Sequence, residues 1–171
     1  LLGWGDCTRS LQIRACLAAT YLLAKHPRLR PGPLGAVGVS LGGWLSVMTA
    51  LLDDRIQAIA DFGMKTCFLP NEVALADYQG IHDPCHVIPG LQRLGDRNLL
   101  PLALCPRHLL AGHGAADPAS SKLAPDYYHA PLLAQYQAAG AGSRFTWHVH
   151  PGGDVLPPEP VLSFFREFFQ I

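Results

Sequence analysis

The segment Gly38-Val39-Ser40-Leu41-Gly42 constrains this chain more than any other. Before it, Leu34-Gly35-Ala36-Val37-Gly38-Val39 is short and apolar and follows Pro33, which suits a buried parallel strand. After it, Trp44, Leu45, Val47, Met48, Leu51 and Leu52 recur at helical spacing up to Asp53-Asp54. A strand that turns sharply into a helix strains the residue between them and holds its side chain up at the end of the sheet. The flanking glycines allow close approach, and the helix N-terminus faces any negative charge that develops there. The pattern is that of a nucleophile elbow, with Ser40 as the candidate nucleophile. The simpler reading is a serine that only serves a tight turn.

The length, 171 residues, is enough for one domain with a substantial core, and we read residues 1–171 as a single domain. Hydrophobic residues make up 49% and charged residues 15%, a globular balance. Thirteen basic side chains balance 13 acidic ones with no basic run, so neither nucleic acid nor an anionic membrane is an expected partner. No segment reaches the roughly 18 uninterrupted apolar residues of a membrane span. The five cysteines show no paired spacing, and their odd number leaves at least one thiol free.

Strand and helix patterns alternate along the chain. Helices are predicted over Arg9–Lys25, with Leu11, Ala15, Leu17, Ala18, Tyr21 and Leu22 as its apolar positions and Asp6 or Thr8 as its cap, and over Asp126–Ala139 and Pro158–Phe169. Further strands are predicted at Ile56–Phe62, Arg107–Gly112 and Arg144–His150. Between Gly63 and Leu104 prolines break the pattern, so loops and short helices are expected there. The alternation implies an α/β fold with a doubly wound, mostly parallel sheet.

A reactive serine needs a base and a carboxylate that orients the base, in the chain order Ser, acid, His for this class of fold. Asp117 follows a strand pattern that ends in Gly112-His113-Gly114, which fits the acid. Asp83 and Asp96 lie in the irregular middle and fit less well. The simpler reading is that Asp117-Pro118 starts the next turn or helix.

Two longer stretches carry a family resemblance: His82-Asp83-Pro84-Cys85-His86-Val87-Ile88-Pro89-Gly90-Leu91-Gln92-Arg93-Leu94-Gly95-Asp96, and Pro106-Arg107-His108-Leu109-Leu110 followed by Gly112-His113-Gly114-Ala115-Ala116-Asp117-Pro118. With the serine segment they resemble the α/β-hydrolases related to acetylxylan esterases and dienelactone hydrolases. The resemblance implies an α/β-hydrolase fold, Ser40 as nucleophile, Asp117 as acid and the Leu41 N–H as an oxyanion donor. It also implies a small-molecule ester substrate, such as an acylated carbohydrate.

Two departures from that pattern stand out. Such relatives place the histidine in a Gly-Gly-His turn after the last strand, whereas here the turn is Pro151-Gly152-Gly153-Asp154. Asp154 therefore holds the expected histidine position, and a carboxylate of ordinary pKa near 4 is a poor base for a hydroxyl at neutral pH. A second carboxylate near Asp117 would also oppose ionisation of the pair. His150 is the first candidate for a replacement base and His148 the second; packed or surface roles are the alternatives. The other departure is that the fold normally has strands ahead of the first helix, and this chain has no room for them. The expectation is an α/β-hydrolase domain lacking its N-terminal strands, with a partner chain or a missing N-terminal segment completing the sheet.

Other chemistries have less support. His82, Asp83, Cys85 and His86 form a dense group, but Pro84 breaks a helical register and no second cluster has metal-ligand spacing, so no metal is expected. No glycine-rich phosphate loop follows a strand, and no cofactor is expected. Trp44 and Trp147 are either pocket walls or core. Two functions remain: a serine hydrolase of carboxylic esters, or a catalytically impaired hydrolase-like domain that binds a ligand or partner.

Overall fold

A strand whose successor is reached through a helix must be rejoined from the same end, so helix-linked strands run parallel. The computed structural model, which describes residues 7–63, 93, 95, 97–117 and 125–171, has this architecture. Helix α1 (Thr8–Ala24) precedes β1 (Leu34–Val39), and α2 (Leu41–Leu52) connects it to β2 (Ile56–Phe62). A 3-10 segment (Arg97–Leu104) precedes β3 (His108–Gly114). A π-helical turn (Pro125–His129) runs into α3 (Ala130–Ala138), which precedes β4 (Phe145–His150); α4 (Pro158–Phe169) follows. The four strands pair in the order β1-β2-β3-β4, all parallel.

Alternation along the strands sends successive side chains to opposite faces. Ile59, Leu109, Ala111 and Phe145 pack with Val47 of α2 and with Leu132 and Tyr136 of α3. Ala60, Phe62 and Leu110 pack on the other face with Val161 of α4. Helices thus cover both faces, as the alternation of patterns implies. β2 and β3 are buried along nearly their whole length, whereas β1 alternates between half-buried and exposed residues.

The expected element boundaries at α2, β2 and α4 agree with the structure, and those of α1, β3 and β4 shift by a residue or two. The inward face of α1 does not agree. Leu11, Ala15, Ala18, Tyr21 and Leu22 point to solvent, and Arg9, Ile13 and Thr20 are buried instead. The helix is apolar on two sides, so its sequence pattern does not say which side packs; contact with α2 and the β1 edge decides it. The cap also differs. Cys7 precedes the first turn, its N–H donates to Ser10 Oγ (3.1 Å), and the Ser10 hydroxyl donates to the Cys7 carbonyl (2.8 Å). In place of one α-helix over 126–139, the chain makes a π-helical turn before α3.

Polar ties fix the end of the sheet where β2 and β3 begin. Arg55 grips Asp53 with two hydrogen bonds, Nε to Oδ1 (2.8 Å) and Nη2 to Oδ2 (2.6 Å), across the α2–β2 turn. Arg107 donates to the carbonyls of Ala50 and Ile56 and to Asp54, and the Tyr136 hydroxyl donates to the Arg107 carbonyl (2.8 Å). The Arg55 hydrogen bonds hold the Asp53 carboxyl below the usual carboxylate range, against the opposing effect of burial.

Two outcomes follow from this packing. Leu109→Ala opens a cavity at a fully buried position and lowers unfolding free energy by about 2–5 kcal/mol in a urea titration. Leu22→Ala, at a position 68% exposed, changes it by under about 0.5 kcal/mol. Because the folded-state pKa of Asp53 lies below its unfolded value, its contribution is complete above the ordinary carboxylate pKa. That contribution is lost as pH falls through the depressed value. Asp53→Asn therefore flattens the acid limb of a Tm-versus-pH curve; an unchanged limb would contradict the assignment.

Candidate active site

The carboxyl ends of the four strands gather the chemistry-bearing residues. Ser40 stands between β1 and α2 with φ 57° and ψ −123°, left-handed backbone that a non-glycine residue adopts only under tertiary constraint. Two bonds hold it: its N–H donates to the Phe62 carbonyl (2.8 Å), and its own carbonyl accepts from the Trp44 N–H (3.3 Å). The tight fit falls on Gly38 and Gly43. A Cβ on Gly38 would lie 2.1 Å from the Gly42 carbonyl, and one on Gly43 would lie 2.4 Å from Asp61 Oδ1. Gly42, the second glycine of the Gly-x-Ser-x-Gly pattern, has open space in that direction. Leu41 opens α2, so its N–H is among the helix's first amides, which have no intrahelical acceptor.

Asp117 lies where the strand-then-turn pattern puts it, just past β3, and it is buried. Its N–H donates to the Gly114 carbonyl (3.0 Å). The turn after β3 is joined to the turn after β4 by backbone bonds, from Ala115 N–H to the His150 carbonyl (2.7 Å) and from Ala116 N–H to the Gly152 carbonyl (3.0 Å). The turn that leads to Asp117 and the turn that leads to Asp154 are therefore tied together through the backbone.

Asp154 reaches the serine bend. Gly63, at φ 68° just past β2, marks the spot: a Cβ there would lie 2.0 Å from Asp154 Oδ1 and 3.3 Å from the Ser40 nitrogen. One Asp154 carboxylate oxygen thus lies against Gly63, the turn that borders the Ser40 backbone. His150 is placed otherwise. Its buried ring packs 6.1 Å from Phe62 and 6.4 Å from His148, on the α4 face of the sheet. Its Nδ1 accepts from the Gly152 N–H (3.2 Å), which in a neutral ring leaves the proton on Nε2. A triad histidine needs the reverse, with Nδ1 donating to a carboxylate and Nε2 accepting from the hydroxyl. His148 shares that face and meets Phe62 edge-on at 6.2 Å.

Three comparisons bear on this arrangement. No family model matches the chain. Over 144 residues it is 26% identical to YtaP of Bacillus subtilis (strain 168), which carries a provisional hydrolase name; the match takes in 83% of this chain and 45% of YtaP. Methylesterase BT1017 superposes with a TM-score of 0.67 at 22% identity, covering 95% of this chain and 36% of its own. Acetyl xylan esterase 1 from Thermoanaerobacterium sp. JW/SL YS485 superposes with a TM-score of 0.52 at 16% identity, covering 92% and 52%.

The chain has the α/β-hydrolase fold. It spans about half the length of YtaP and of the acetyl xylan esterase, and about a third of BT1017. Within that fold the strand-turn-helix at Ser40 and the turn at Asp117 stand at carboxyl ends of parallel strands, where open α/β sheets place their ligands.

Sequence reading missed three residues around the bend. Asp61 is buried near the end of β2, with Oδ1 against the first turn of α2. The buried Arg9 of α1 holds its guanidinium 5.6 Å from the Trp44 ring centre and donates to Gln12 Oε1 (2.8 Å). Gly63 is the third. None lies at a spacing that announces chemistry; only the packing brings them there. Trp147 packs with the α2-side core, stacked on His129 (5.1 Å) and beside His113 (5.6 Å). Among the described residues no group of three or more His, Cys, Asp and Glu side chains converges to hold a metal, and no helix is long and apolar enough to cross a membrane. The His82–His86 group lies outside the described residues.

The Gly63–Asp154 contact is testable through coupling. Gly63→Ala introduces a methyl into the space held by Asp154 Oδ1 and strains a left-handed position. Removing the carboxylate by Asp154→Gly relieves the first cost but not the second. A double-mutant cycle by urea denaturation should give a coupling of about 0.5–3 kcal/mol, and additive effects would place Asp154 elsewhere.

Proposed function

We propose that this domain belongs to a serine hydrolase of carboxylic esters. The observation that carries the reading is Ser40 at φ 57° between the end of β1 and the N-terminus of α2. That geometry presents the hydroxyl at the sheet's end and directs the helix's first amides toward the same point. Ser40 Oγ would attack the acyl carbon while its proton passes to a histidine, His150 in this chain. Asp117 would orient the imidazolium, and the Leu41 N–H would hold the oxyanion. Collapse of the tetrahedral intermediate would expel the alcohol, which takes the proton back. A water molecule would then cleave the acyl-serine by the same route in reverse. The neighbours named as esterases support an ester as substrate, and acetyl xylan esterase 1 points to an acylated carbohydrate.

His150 serves in this scheme only if its ring leaves Phe62 and exchanges the Gly152 hydrogen bond for one to a carboxylate. That requirement, with the Asp154 carboxylate beside Ser40, favours a second reading: a hydrolase-like domain that has lost its base and binds a ligand or partner.

Hydrolysis of p-nitrophenyl acetate separates the two. Under the first reading the unaltered chain exceeds the buffer rate and Ser40→Ala returns it to that rate. Under the second the unaltered chain is inactive and unlabelled by a fluorophosphonate probe, and Asp154→His raises the rate on the order of 10²-fold or more by restoring a base. Inactivity of the unaltered chain and of Asp154→His alike rejects both a working and a recoverable hydrolase site.

A further inference from the structure

A polar cavity lies at the end of the sheet opposite Ser40. Leu110 of β3 packs against Val161 of α4, and residues two apart on a strand share a face. His108, the first residue of β3, and Thr146, the register partner of Leu110 on β4, therefore face α4 as well. Val161 stands over the middle of β3, whereas Phe168, near the end of the helix, meets the His108 ring edge-on at 5.1 Å. Helix α4 thus ends over the amino ends of β3 and β4. Phe164, Glu167 and Phe168 fall on one side of it, at spacings of three and four. Between that side and the strand starts lies a cavity of about 280 Å³, lined by these three residues and by His108, Arg144 and Thr146.

The walls of this cavity carry opposite charges. Arg144, in the turn before β4, gives one Nη1 hydrogen bond to the Pro106 carbonyl (3.2 Å). A guanidinium has five N–H donors in a planar fork, so others are left for a guest, and a carboxylate matches that fork. Glu167 stands in the last turn of α4 and forms no ion pair with a cation among the described residues. The carboxyl end of the helix adds partial negative charge on the same side. An ammonium is the group that both would hold. Both charges also act on His108: burial first, and then Arg144, lower its pKa, while Glu167 opposes them. The ring is therefore neutral at pH 7 and offers one donor and one acceptor.

A lone anion in this cavity would meet Glu167, and a lone cation would meet Arg144. A molecule with both a carboxylate and an ammonium satisfies both walls. The half-buried rings of Phe164 and Phe168 leave an apolar side for the rest of it. The volume falls just under the roughly 300–1,000 Å³ of pockets for drug-sized ligands, so the guest is smaller than those.

We propose that this cavity binds a free α-amino acid with an aromatic or large aliphatic side chain. Its carboxylate lies on Arg144, its ammonium at Glu167 and its side chain against Phe164 and Phe168. The site is at the other end of the strands from Ser40 and stands whether or not that serine is reactive.

Titration with L-phenylalanine and L-leucine, followed by amide NMR shifts, tests it. Saturable shifts should centre on the residues that line the cavity, with a dissociation constant on the order of 1 mM or tighter for at least one of the two. Phenethylamine and hydrocinnamate, which keep one charge each, should bind about tenfold or more weakly than L-phenylalanine. Arg144→Gln and Glu167→Gln, both at exposed positions, should each weaken amino-acid binding by about the same factor. No saturation by either amino acid below about 10 mM overturns the proposal. So does binding of either single-charge compound, or of glucose, as tight as that of the amino acids. Variants that bind like the unaltered protein, or shifts centred on Ser40, Asp117 and Asp154, overturn it too. If a variant fails to fold, the comparison of compounds on the unaltered protein decides alone.

Discussion

The backbone at Ser40 sets the geometry on which the rest of the site depends. A left-handed conformation at a non-glycine residue costs on the order of 1–3 kcal/mol and persists only where the surroundings over-determine it. Here the Phe62 carbonyl takes the Ser40 N–H, and the backbone of Gly42 lies so close to Gly38 that no side chain could intervene. β1, the end of β2 and the first turn of α2 are thereby locked into one bend. Relaxing any one of them would release the strain and swing the hydroxyl away from the sheet's end.

A parallel sheet has a second consequence. All four strands end on the same side, so the turns after β2, β3 and β4 are forced together. Backbone hydrogen bonds join Gly63 to Gly112 and the turn that leads to Asp117 to the turn after β4, whose Asp154 lies against Gly63. The opposite end of the sheet carries the anchoring ties of Asp53, Arg55 and Arg107, with each cation bound to a carboxylate or carbonyl. Anchoring at one end leaves the other free to hold strain and buried carboxylates, a division of labour common in this class of sheet.

Likeness of fold and likeness of site part company at position 154. The backbone superposes on esterases over most of its length, and the turn after β4 returns to the serine bend. The side chain it delivers is a carboxylate, while the nearest imidazole on β4, His150, accepts a backbone hydrogen bond and packs on Phe62. The scaffold is the α/β-hydrolase fold; the side chain brought to the serine bend depends on a single loop.

Much of the architecture was legible because it rests on local rules. Apolar runs of strand length, helical periodicity and the prolines at Pro33, Pro157 and Pro158 placed β1, β2, α2 and α4 without reference to distant contacts. The serine bend was legible for the same reason, since strand, turn and helix are contiguous. What the sequence left open needed a third dimension. Helix α1 is apolar on two sides, so only its contact with α2 and the β1 edge chose the buried one and drew Arg9 inward. The meeting of Asp154 with Ser40, and the turning of His150 toward Phe62, join residues more than a hundred positions apart or depend on one ring's hydrogen bond. Local pattern determined which elements form, because propensity and periodicity act within a few residues. Tertiary packing decided which side chains meet at the bend, because strand register and loop closure are settled only when the whole sheet assembles.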